Sequence, residues 1–164
     1  MDDFIGRVEQ AMTDYFRTDR RRIEHARQVA EHARRLLDEI AADRTVTLAA
    51  AYLHDIGIPA AERKYGSSAG RHQEVEGPPV ASDILKKLGA SEAFIEKVCE
   101  LVGNHHTPEA IDSPEFQILW DADALVNLAE VLPGKTAGQV NAVLEKSFAT
   151  DAGLRRGRTV YLRE

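Results

Sequence analysis

The chain has 164 residues, 43% of them apolar and 29% charged, the make-up of an ordinary soluble protein with a core sized for a single domain, 1–164. A net charge of −6 and a pI near 5.5 speak against nucleic-acid polymers and anionic membranes as partners, since both favour basic surfaces. Cys99 is the only cysteine, which excludes an internal disulfide and fits a reducing compartment.

Nearly all apolar periodicity along the chain is helical. Phe4, Val8, Met12 (or Ala11) and Tyr15 form a first stripe behind Asp2 and Asp3, acids that suit a helix N-terminus. A longer helix from about Asp19 to Ala42 carries Ala26, Val29, Ala33, Leu36 and Ile40 on one face. The next, from Thr47 to Ile56, is apolar almost all round, which predicts a buried central helix, ended by Gly57 and Pro59. The stretch 57–77, with GSSAG at its middle, reads as a long irregular loop of the kind that often carries function. Helix resumes near Pro78 and stops at Gly89, and Ser91 opens another that carries Phe94, Val98, Leu101 and Val102 toward His105. Ser113-Pro114 has the form of an N-cap followed by proline and opens a helix to about Val131. Thr136 and Gln139 have capping-box spacing and start the last one. The tail RRGRTVYLRE is expected to form a short strand or to stay mobile. The expectation is an all-α bundle of six or seven helices. No run approaches the roughly 18 apolar residues of a membrane span. The start, MDDFIGRVEQ, is the reverse of a signal peptide, so the cytoplasm is the expected location.

His54-Asp55 closes the apolar helix. A carboxylate there opposes the helix dipole, and burial without a partner would cost several kcal/mol. A bound divalent cation removes both objections; a salt bridge to an arginine of the preceding helix is the alternative. His25 and His32 stand two turns apart on the border of one apolar face, and spacing alone does not say which is a ligand. His105 continues an inward stripe, and His106 diverges from it at the Thr107-Pro108 break. Asp123 lies between Leu119 and Val126 on an inward stripe, whereas Asp121 points to the opposite face, as a surface or supporting residue. His72, in the expected loop, is the weakest candidate. Taken together, His25, His54, Asp55, His105, His106 and Asp123, with His72 in reserve, would serve two divalent ions about 3.5–4 Å apart. Ligands rich in histidine suit Fe, Mn, Co, Ni or Zn better than Mg. Lys64 and Arg71 flank GSSAG and are the candidate phosphate-binding cations.

The motifs HARQVAEHARRL, AAAYLHDIGIP, the His105-His106 pair and DADAL resemble the HD-domain superfamily of metal-dependent phosphohydrolases over roughly residues 20–130. The resemblance implies a helical bundle, with the family's first His at His25, its His-Asp pair at His54 and Asp55, and its closing Asp at Asp123. It implies Asp55 as the bridging ligand and His72, His105 and His106 as second-metal ligands. Two departures are visible. The family's third His commonly stands four residues before a Gly, and four back from Gly77 is Gln73, one residue from His72. The GYP signature of cyclic-dinucleotide hydrolases is replaced by TPEAID. The function implied is hydrolysis of a nucleotide or other small phosphate ester by metal-activated water, with Asp55 as the key catalytic residue. Relatives of this kind also include di-iron oxygenases and regulatory modules without activity; the latter tend to lose the ligands kept here.

Overall fold

The computed structural model describes residues 2–110 and 112–164; the side chain of Asp2, expected to favour the first helix's N-terminus, lies outside the described set. Among the described residues there are nine helices and no strand: α1 (Asp2–Phe16), α2 (Arg20–Leu37), α3 (Arg44–Leu53), α4 (Ile58–Tyr65), α5 (Gly70–Lys87), α6 (Glu92–Val102), α7 (Pro114–Val131), α8 (Ala137–Ser147) and α9 (Asp151–Leu162). The all-helical expectation holds, with more helices than six or seven. None is long and apolar enough to cross a membrane.

Polar side chains fix most of the starts. Asp19, Asp43, Ser91, Ser113 and Thr150 each accept a backbone N–H from the first turn of the helix they precede, and Thr136 with Gln139 completes the expected capping box. Every residue of α3 from Val46 to Leu53 is buried, and α1, α2, α6 and α7 pack around it. Each wholly buried Leu or Ile there contributes about 1.5–3 kcal/mol, so the centre of the bundle is the rigid part on which the site is built. A smaller apolar cluster, Leu128, Leu132, Val140 and Leu144, joins the end of α7 to α8 and α9.

Three segments differ from the sequence reading. The stretch 57–77 is not one loop: α4 and the first turns of α5 occupy it, leaving only residues 66–69 between helices. Gly57 and Pro59 begin α4 rather than end α3, which stops at Leu53. A Cβ on Gly57 would meet the backbone N of Gly77 at 2.5 Å and the carbonyl O of Gln73 at 2.8 Å. This close approach seats α5 against the turn after α3 and carries the helix through Pro78 and Pro79, which local propensity marks as breakers. The C-terminal segment is helix α9, neither strand nor mobile tail. Its start is held by Asp121, which is fully buried and not a surface residue. The Asp121 carboxylate accepts the N–H groups of Ala149 and Thr150 and the Thr150 hydroxyl.

Candidate metal centre

Four helices deliver the donor groups. His25 comes from the second turn of α2, His54 and Asp55 follow the end of α3, His105 and His106 follow α6, and Asp123 sits mid-α7. Along α7, Asp121 and Asp123 are about 200° apart around the axis, so one faces α9 and the other the centre.

His25 Nε2 lies 3.0 Å from Asp123 Oδ1 and 3.4 Å from Asp55 Oδ2. His54 Nε2 is 3.4 Å from each of these same two oxygens. The other Asp55 oxygen, Oδ1, is 3.4 Å from His105 Nε2. His25, His54 and Asp55 thus form one donor cluster and Asp55, His105 and His106 a second, with Asp55 shared between them, one oxygen toward each. Asp123 closes the first.

The helix ends set the imidazole tautomers. His54 Nδ1–H donates to the Ala51 carbonyl and His105 Nδ1–H to the Val102 carbonyl, both at 2.7 Å. These are carbonyls that a helix C-terminus leaves without intrahelical partners. In the neutral form of each ring Nε2 then carries the lone pair and faces the carboxylates, the arrangement that outer hydrogen bonds impose on metal-ligating histidines. His54 is 1% exposed, and its Nε2 makes no hydrogen bond. Its neighbours are the Asp55 and Asp123 oxygens at 3.4 Å, without hydrogen-bond geometry, and a divalent cation among imidazole nitrogens and carboxylate oxygens is a chemically fitting occupant.

The electrostatics point the same way. Burial opposes charge on His54, yet the Asp55 and Asp123 carboxylates override it and hold its pKa well above the ordinary imidazole value. Burial would raise Asp55, but His54 and His105 hold it well below the carboxylate range. Asp123 is likewise held below that range, against burial, by His25 and His54. Burial and the neighbouring His105 lower His106. The centre therefore stabilises two carboxylates as anions and calls for positive charge between them.

Residues 22–128 match the HD domain family. The chain belongs to that family. In structure this HD protein is similar to a predicted HD superfamily hydrolase from an uncultured Thermotogales bacterium, with a TM-score of 0.66 and 26% identity over 99% of this chain and 86% of the other. No curated protein matches it.

Other sequence candidates lie elsewhere in the HD protein. His72 joins neither donor cluster; its ring stacks on Tyr65 with centroids 4.1 Å apart. The residue that enters the site from α5 is Gln73, four before Gly77, whose Oε1 lies 3.3 Å from His105 Nε2 and 3.2 Å from His106 Nε2. His32 turns away and accepts from Arg156 Nε of α9. Lys64 is exposed and paired to Glu76 at 2.8 Å, and Arg71 is exposed; neither lines the cavity beside the donors. That cavity, about 590 Å³, is lined by Arg21, Arg22, Gln28 and Asn127 together with His25, Asp55, Gln73, His106 and Asp123. Arg21 and Arg22 went unnoticed in the sequence because they read as surface charge at a helix start. Their position one turn before His25 is the signal that would have found them.

Proposed function

We propose that this HD protein is a metal-dependent phosphohydrolase acting on a nucleotide or another small phosphate ester. The observation that carries it is the convergence of His25, His54, Asp55 and Asp123, with the buried His54 Nε2 facing both carboxylates at its centre, beside a cavity bearing two arginines. Those four side chains would hold a first divalent ion, and Asp55, His105 and His106 a second; Fe, Mn, Co, Ni or Zn suit the donors better than Mg. When bound, such an ion supplies Lewis acidity toward a phosphoryl oxygen and lowers the pKa of a water at its open position.

The chain's own contribution is placement and charge. Asp55 presents one oxygen to each donor cluster, so its loss would unseat both. Arg22, paired to Asp19 and Glu62, and Arg21, paired to Glu130, sit on the cavity wall as guanidinium groups that can exchange a carboxylate for a phosphate. Gln28 and Asn127 offer hydrogen bonds to the remainder of the ester. The size of the cavity suits a small molecule better than a polymer, in keeping with the acidic net charge and with work in the cytoplasm. The test is elemental analysis of protein purified with and without air, then a panel of nucleoside phosphates and other phosphate esters with the metal found. Release of phosphate or pyrophosphate by the metal-loaded protein is expected. Silence across the panel with metal bound, together with oxygen uptake, would overturn the hydrolase in favour of an oxygenase.

A further inference from the structure

Beside the second donor cluster stands Gln73, a glutamine at the position four before Gly77 where the resemblance expects a histidine. Gln73, on the first turn of α5, is 8% exposed. Its Nε2 donates to the Ser68 carbonyl at 2.6 Å, and this fixes which way the amide faces. Oε1 must then point at the histidine pair, 3.3 Å from His105 Nε2 and 3.2 Å from His106 Nε2. But His105 Nδ1–H is already committed to the Val102 carbonyl, so in the neutral ring Nε2 is an acceptor. The same nitrogen is 3.4 Å from Asp55 Oδ1. His106 Nε2–H can donate to Gln73 Oε1, but His105 Nε2, Gln73 Oε1 and Asp55 Oδ1 still present three lone-pair acceptors to one another.

We propose that Gln73 Oε1 is a ligand of the second divalent cation, together with Asp55, His105 and His106, and that this cation binds more weakly than the first. A neutral amide oxygen contributes less charge than a carboxylate and is a poorer donor than imidazole to the later transition metals. The second cluster owns only a shared carboxylate, whereas the first combines Asp55 with Asp123. The Ser68 bond extends the consequence outward, because residues 66–69 are tied to the amide that holds the ion.

This inference rests on reading the cluster as a metal centre. The test is a titration of metal-free protein with Mn²⁺, followed by calorimetry and by electron paramagnetic resonance, with wild type, Gln73→Met, Gln73→Glu and His72→Ala. Wild type should bind in two steps, the second about tenfold or more weaker. Gln73→Met, similar in length but without the oxygen, should weaken only the second step by about tenfold or more. Gln73→Glu should tighten that step, which also guards against reading a folding defect as lost affinity. His72→Ala should match wild type. Identical second steps in wild type, Gln73→Met and Gln73→Glu would overturn the role of Gln73. Failure to bind Mn²⁺ at all would overturn it together with the metal centre. Because activity is not the readout, a protein that binds Mn²⁺ in these two steps yet hydrolyses nothing would count against the hydrolase alone.

Discussion

Asp121 and Asp123 stand two residues apart, and their substitution should separate stability from metal binding. Asp121→Ala removes a buried carboxylate that accepts two backbone N–H groups and one hydroxyl at the start of α9. Hydrogen bonds to a charged group contribute about 1.5–3 kcal/mol each, which would sum to well above 4 kcal/mol. Two effects reduce that figure. Burial raises the Asp121 pKa, so the charged form already bears a desolvation cost that the hydrogen bonds only partly offset. Ala149 is exposed and Thr150 half-buried, so water can reach the freed donors. The expected loss is about 2–3 kcal/mol, and for a chain of this size that lowers Tm by roughly 4–12 °C. Asp121→Asn keeps an acceptor and should lose less. Urea unfolding of the metal-free forms, with metal content measured in parallel, is the assay. Asp123→Asn should do the reverse, losing metal while the metal-free stability stays within about 1 kcal/mol of wild type. An Asp121→Ala protein within about 0.5 kcal/mol of wild type, or one that loses its metal, would refute the division of labour.

Asp55→Asn should abolish hydrolysis while circular dichroism stays native, because the carboxylate serves both donor clusters and adds little to packing; full activity in the folded variant would contradict the proposed role. Arg21→Ala and Arg22→Ala should raise KM for phosphate esters more than they lower kcat, and Lys64→Ala and Arg71→Ala should leave KM near wild type; steady-state kinetics on the best ester decides. Burial, then the charges of Arg156 and Arg35, lower the His32 pKa to about 4. Folding therefore favours its neutral form, giving stability that is present above the ordinary value of 6.5 and lost as pH falls from there toward 4. A displacement of that size is worth about 3 kcal/mol in a fully buried ring and about half that here, where the ring keeps solvent contact. His32→Gln should flatten that part of the stability profile, measured by urea unfolding at a series of pH values.

The parts of the fold that periodicity reveals are those where one face does all the burying. The stripe of α2 and the all-round apolarity of α3 are of this kind. The stripes of α1 and α6 are offset at their edges, with Ile5, Phe16 and Ile95 buried where Phe4, Tyr15 and Phe94 are expected. The caps at Ser91, Ser113 and Thr136 mark starts by local chemistry. What sequence hides is what two distant segments decide jointly. The whole stretch from Gly57 to Gly77 reads as loop with helix resuming only near Pro78, yet the contact of Gly57 with Gly77 holds α4 and α5 in place across it. His25 and His32 share a border in sequence; Asp123 on α7 and Arg156 on α9 assign them different tasks. The same holds for the candidate site. The His-Asp pair and Asp123 were legible because an acid among apolar neighbours needs a reason. Gln73 was legible only as a position, four before Gly77, since a glutamine there carries no such conflict until His105 and His106 face it. Lys64 and Arg71 drew attention through a supposed loop that is helical, and Lys64 is spent on Glu76.

His25 and Asp123 are 98 positions apart in the chain, and the groups that would share an ion with them follow α3. A cation held there would fasten the second helix to the seventh across most of the polypeptide. Covalent ties closing loops of about 100 residues reduce the freedom of the unfolded chain by an amount worth roughly 4–5 kcal/mol. A clasp made of ligand bonds would act in the same direction, but it would be released by acid or chelator. Ion occupancy would then govern how long the folded bundle survives as much as whether it can turn over substrate, and a cell short of the right metal would lose the protein itself as well as its activity.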